Sequence, residues 1–211
     1  MAVKHLLDPA VCDKGYFPID LSITNLFWNT HDVSDIATFE RYLKGKRHET
    51  KRYVAYGGYL EQRALYRRSK RFQDGAIRDT HMGIDLWAPA GTSVHAVMDG
   101  IVHSFANNAD AGNYGPTLVL EHDWRGKKLY SLYGHLAVSD MAGWAVGLRF
   151  RESERIATLG TPHENGGYSP HLHFQVMATM ADFKGDFAGV LAVDQLVLYE
   201  NLILDPNPFI F

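Results

Sequence analysis

A single cysteine, Cys12, is the only thiol in this 211-residue chain. One thiol excludes an intrachain disulfide framework, and no pattern around Cys12 supports a nucleophilic role. Long hydrophobic runs are missing too, since no stretch approaches the ~18 apolar residues of a membrane span. The opening residues, Met1-Ala-Val-Lys-His-Leu-Leu-Asp-Pro9, lack the apolar centre and small-residue cleavage site of a secretory leader. Read as it stands, the chain is expected in the cytoplasm; removal of a leader would shift that to the cell envelope or the exterior. Also absent are GxSxG, a Walker-A loop, GxGxxG and HExxH, which removes the common hydrolase, nucleotide and zincin readings. A formal charge of −3 argues against general polyanion binding, and no nucleic-acid partner is expected.

What is present is unevenly arranged. Of the 21 Lys and Arg, 11 fall between Arg41 and Arg71, opposed only by Glu49 and Glu61. Such a run reads first as a solvated face and second as a surface for an anionic partner. Ile36, Phe39 and Leu43 recur at helical spacing behind the capping residues Asp32 and Ser34, so a short helix is expected over Ser34–Lys44. The aromatic and basic stretch 53–71 fits helix and strand equally.

From about Asp79 the pattern changes to short alternating segments punctuated by glycine. Residues 93–98, 116–122, 128–136, 155–159 and 172–177 read as strands. Strands at this spacing with little helix between them imply a mainly β, antiparallel sandwich or partly open barrel. The expected organisation is therefore an extension over 1–75, containing a short helix, and a β domain over 76–211 whose last segment packs on one edge.

Three short segments carry the chemistry. In His81-Met-Gly-Ile-Asp85, Gly83 argues against a long helix, and in an extended chain an imidazole and a carboxylate four apart share a face. Tyr133-Gly-His135-Leu closes a strand-like run. In Pro170-His171-Leu-His173-Phe the two imidazoles share one face while Leu172 and Phe174 point into the core. Imidazole and carboxylate donors suit zinc, and three protein ligands leave one position for water. Zinc lowers the pKa of such a water to about 7 and polarises a carbonyl. Two further histidines beside a three-ligand metal would supply the proton transfer that hydrolysis needs.

HxxxD, a later YxHL and then HLHF, in that order, resemble the LytM/lysostaphin-type zinc metallopeptidases, peptidase family M23. The likeness runs through Gly83-Ile-Asp-Leu-Trp-Ala-Pro-Ala-Gly-Thr, Asp99-Gly-Ile-Val, Tyr114-Gly-Pro and Ile156-Ala-Thr-Leu-Gly160, covering about 78–178. The resemblance implies an antiparallel β-sheet groove of the M23 type and one Zn2+ per chain, held by His81, Asp85 and His173. It makes His135 and His171 the unligated catalytic pair, with the general base left open between them. It also implies a peptide or peptidoglycan substrate, hydrolysed by a zinc endopeptidase. A zinc-stabilised regulatory module and an intracellular peptidase for small peptides are the competing readings. Loop 161–170 is longer and more polar than the family's usual glycine-rich turn.

Beyond these five residues, Arg78 is a candidate to orient Asp85 or bind a substrate carboxylate. Tyr133, expected to share a face with His135, and His163, in the polar loop, are candidate substrate contacts. His122 is read as the partner of a turn hydrogen bond, and His95 and His103 as structural or surface residues.

Overall fold

In the computed structural model, residues 5–68, 72 and 76–211 are described. The strands are β1 (Tyr16–Pro18), β2 (Val54–Gly57), β3 (Thr80–His81), β4 (Ile84–Trp87), β5 (Ser93–His95), β6 (Gly100–Asn108) and β7 (Gly115–Trp124). They continue with β8 (Lys127–Gly134), β9 (Arg149–Phe150), β10 (Arg155–Thr158), β11 (His171–Met177), β12 (Val190–Leu191) and β13 (Ile203–Leu204). The main sheet runs β1-β2-β4-β11-β8-β7-β6-β9, with β13 on β11. Only the β1–β2 pairing in it is parallel, and no pairing among the described residues joins its two ends. The fold is thus mainly β, antiparallel and open.

The expected strands appear within a few residues of their predicted ends. β6 was not anticipated, because its alternation is diluted by His103, Ser104 and two asparagines. Its length comes instead from long antiparallel pairing with β7, which a bulge interrupts between Val102 and Ser104. The helix expected over Ser34–Lys44 spans Ile36–Thr50. Its cap is Asp35, whose side chain accepts from the Thr38 N–H, while Asp32 closes a turn on Ser34. Phe39 and Leu43 bury its inner face, and it stops where Lys51 adopts a φ of 58°. The ambiguous stretch 53–71 holds both elements, β2 and a helix over Ala64–Arg68. Its end, 69–71, lies outside the described residues.

β11 is buried along its whole length. Its alternation sends Leu172, Phe174 and Val176 into the largest apolar cluster, with Ile84, Leu86, Leu118 and Leu120. Burial of each such side chain contributes about 1.5–3 kcal/mol. The opposite face carries His171, His173 and Gln175, flanked by two smaller clusters. One contains Trp28, Phe39, Leu43 and Trp87, and the other Met82, Leu132, Met177 and Phe187. Polar side chains in that position demand partners, because an unpaired buried polar group is costly.

Residues before 75 join this sheet directly: β2 lies antiparallel to β4, with Gly57 opposite Asp85 and Ala55 opposite Trp87.

Candidate active site

The antiparallel register of β4 and β11 sets His173 across from Asp85 and His171 across from Trp87. His81, on β3 and separated from β4 by Met82 and Gly83, arrives from the same side. His81 Nε2, Asp85 Oδ1 and His173 Nδ1 form a triangle with edges of 3.0, 3.1 and 3.3 Å. Tetrahedral ligands at zinc distances of about 2.0–2.1 Å stand roughly 3.3 Å apart, so one ion fits just above the plane of this triangle. All three residues are buried.

The hydrogen-bond directions favour the same conclusion. His81 Nδ1 lies 3.0 Å from the Gly58 carbonyl and must donate to it, which leaves Nε2 with a lone pair. Gln175 Nε2 donates to the Ala188 carbonyl, so its Oε1 accepts from His173 Nε2–H at 3.2 Å. His173 Nδ1 therefore also carries a lone pair. Two imidazole lone pairs and a carboxylate oxygen converge with no proton between them, and a cation is the group that this donor set accommodates.

Electrostatics follow from burial. Loss of hydration pushes the His81 pKa down to about 4, with the Arg63 charge acting in the same direction. For Asp85 burial opposes ionisation, but the Arg63 guanidinium on its Oδ2 outweighs this and holds the carboxyl well below its usual range. A neutral His81 imidazole and a carboxylate that stays ionised are protonation states that a divalent ion requires.

His135 and His171 stand beside the triangle with ring centroids 4.1 Å apart. Each donates Nδ1–H to a backbone carbonyl at 2.7 Å, His135 to Asn165 and His171 to Ser169. Both Nε2 atoms are thereby left as acceptors, and that of His171 lies 3.9 Å from Asp85 Oδ1. Burial, then the neighbouring imidazoles His171 and His173, drive the His135 pKa well below 6.5; burial also lowers that of His171. His135 has a φ of 64°, a left-handed conformation that a non-glycine residue adopts at a cost of order 1–3 kcal/mol. Its flanking backbone groups, bonded to Tyr114 and Gly160, hold it there.

Asp85, His135, His171 and His173 open onto a cleft of about 270 Å³. Leu21, Val33, Phe39 and Leu65 from the N-terminal region form part of its wall. In the same region Glu40, on the helix Ile36–Thr50, accepts a short hydrogen bond from the Ser169 hydroxyl. Ser169 is the residue whose carbonyl orients His171.

The remaining candidates separate. Arg78 lines this cleft, with its guanidinium over the Phe72 ring at 5.5 Å. The residue that bonds Asp85 is a different arginine, Arg63, at 2.5 Å. Tyr133 is on the other side of the sheet, fully buried against Phe174, with its hydroxyl accepting from the Val97 N–H. The alternation that would align it with His135 ends at Gly134, because the positive φ of His135 turns the chain. His163 is exposed on loop 161–170 and is not among the residues lining the cleft, to which that loop contributes Tyr168 and Ser169. The next residue, Glu164, ties the loop down through the Thr161 and Val138 N–H groups. His122 accounts for itself structurally, bonded to the Asp99 carbonyl and Ser131.

Arg63, Gly58, Glu40, Asn165 and Gln175 escaped the sequence reading. Arg63 sits inside the basic run, where nothing in spacing separates it from solvated neighbours. Others of that run also serve the fold: Arg47 bonds the Tyr53 carbonyl and Arg52 that of Tyr16.

An open antiparallel sheet presenting two imidazoles and a carboxylate, with two further imidazoles alongside, has the parts of a metallopeptidase groove. The pattern of peptidase family M23 matches residues 79–184, half of the chain, and the chain belongs to that family. Among curated proteins it resembles the DD-carboxypeptidase/endopeptidase Mpg of Neisseria meningitidis serogroup B, at 34% identity over 95 residues. That match covers 45% of this chain and 19% of the relative, so this chain spans about a fifth of that protein's length. Among solved structures it resembles the lysostaphin catalytic domain of Staphylococcus simulans, at 20% identity and a TM-score of 0.47, covering 81% of this chain and 96% of that one. LytU is similar at 27% identity and a TM-score of 0.43, covering 65% of this chain and 77% of that chain.

Proposed function

We propose that this chain is a zinc-dependent endopeptidase that hydrolyses peptide bonds in peptidoglycan cross-bridges or stem peptides. The observation that carries this reading is the triangle of His81, Asp85 and His173, with donor atoms 3.0–3.3 Å apart and no proton to share among them. Zn2+ held there supplies Lewis acidity, polarising a peptide carbonyl and acidifying water.

The remaining chemistry belongs to the chain. His135 and His171 present unprotonated Nε2 atoms, so one of them accepts the proton of the attacking water, and the imidazolium formed then passes that proton to the leaving amine. Their backbone partners, Asn165 and Ser169, hold each ring in the required tautomer. The apolar wall of the cleft excludes water and strengthens these interactions. The choice of peptidoglycan draws on the relative named for carboxypeptidase and endopeptidase activity. Such a substrate would place the working protein in the cell envelope. No described helix is long and apolar enough to cross a membrane.

A second reading is a latent or regulatory form, favoured by the Glu40 contact to Ser169 and by the N-terminal residues walling the cleft. The test is mass spectrometry of products after incubating zinc-loaded protein with purified peptidoglycan and a mixed peptide library, with His171→Ala as control. New termini from wall material, absent in the control, are expected. Cleavage of library peptides alone replaces the substrate with small peptides. No cleavage of either, with zinc bound, moves the assignment to the latent or regulatory form.

A further inference from the structure

The two oxygens of Asp85 have different partners. Oδ1 belongs to the triangle, while Oδ2 accepts from Arg63 Nη1. Arg63 is 1% exposed, and its Nε donates to Glu61 Oε2 at 2.7 Å. Glu61 is fixed in turn, because its Oε1 accepts from the Leu21 N–H at 2.9 Å. A continuous relay, Leu21 N–H to Glu61 to Arg63 to Asp85, therefore runs from the N-terminal region to the candidate metal position.

Space for the guanidinium is built in. A Cβ on Gly57 would lie 2.9 Å from Arg63 Nη2 and 3.0 Å from the Trp87 ring. Trp87 also stacks on His171, with centroids 5.4 Å apart and planes at 21°. The same segment supplies the Gly58 carbonyl that fixes the tautomer of His81. Arg63 Nη2 has no hydrogen-bond partner among the described residues. A buried ion pair left incomplete in this way adds little stability over an apolar replacement, so stability alone does not account for Arg63. Its position does: a guanidinium on Oδ2 stops the carboxylate from chelating through both oxygens.

We propose that Arg63 is a positioning residue that keeps Asp85 a one-oxygen ligand, and that the segment Gly58–Arg63 is the outer shell of the metal centre. The proposal rests on the zinc reading above and extends it to residues outside the matched family segment. It makes the N-terminal region a working part of the site, beyond its role as a cover.

The test is a competition titration for Zn2+, paired with the visible spectrum of the Co2+-substituted full chain. Arg63→Met is expected to weaken zinc binding about 10–100-fold, the usual cost of losing an outer-shell partner. Its cobalt absorption is expected to weaken as the freed Oδ2 joins the ion and raises the coordination number. Arg63→Lys, which keeps a charge and one donor, is expected to restore the wild-type spectrum and most of the affinity. Should Arg63→Met not fold, Arg63→Gln removes the same charge and carries the same expectation. A folded neutral variant with wild-type affinity and spectrum overturns the proposal. Wild-type protein that binds no zinc overturns the metal reading and this proposal with it.

Discussion

Replacing His171 by alanine should separate metal binding from catalysis. The triangle edges are 3.0–3.3 Å, whereas His171 Nε2 lies 3.9 Å from Asp85 Oδ1 and its Nδ1–H is committed to Ser169. Removing the ring leaves every edge of the triangle in place, so zinc affinity should change by less than about threefold, far below the cost of losing a ligand. The stack on Trp87 disappears, which costs about 0.5–1.5 kcal/mol of stability. Loss of one proton-transfer group should lower kcat/KM by about 10²–10⁴-fold, or roughly 3–5 kcal/mol of barrier. His81→Ala provides the contrast: a triangle reduced to two ligands should lose both zinc and activity. The assay is metal content by mass spectrometry beside cleavage of purified peptidoglycan fragments. Wild-type turnover in His171→Ala, or zinc lost from it as completely as from His81→Ala, refutes the division of roles.

Gly83→Ala should disable the site from the backbone side. A Cβ there would lie 2.6 Å from the Phe174 carbonyl oxygen and 2.7 Å from His173 Cε1, so zinc affinity should fall by at least about tenfold; an unchanged titration would show that the ring yields without cost. Tyr133→Phe should cost about 1–3 kcal/mol in urea unfolding, because the buried Val97 N–H loses its acceptor, while turnover stays at wild type. A selective loss of activity in that variant would return Tyr133 to the groove. Glu164 supplies a pH test: burial favours its neutral form, but the Thr161 and Val138 N–H groups outweigh this and lower its pKa below 4.5. Its stabilising contribution is then complete above the unfolded value and is lost as pH falls through the folded one. Glu164→Gln should flatten the acid limb of unfolding stability below about pH 4.5, and identical acid limbs would exclude the effect.

His81, Asp85, His171 and His173 were legible because their spacing matches strand geometry, and His135 through the family resemblance. His171 and His173 alternate with apolar Leu172 and Phe174, and HxxxD recurs in an extended segment, so period-two logic assigns them one face from residue order alone. The same logic misplaced Tyr133. It assumes that the strand continues to His135, and whether a strand ends at residue 134 depends on what holds the next residue at positive φ. Here that is Tyr114, about twenty residues upstream, together with Gly160.

Sequence alone determined the β character of the chain, written in local alternation and glycine punctuation, and the family resemblance, carried by HxxxD, YxHL and HLHF in that order. Tertiary structure alone decided what orients those donors. Arg63 lies 22 residues from Asp85, and Glu40 lies 129 from Ser169. Buried and solvated arginines have the same side chain, and it is the bridge of Gln62 to Thr80 and the bond of the Arg63 N–H to the Asp79 carbonyl that bring this one beneath the carboxylate.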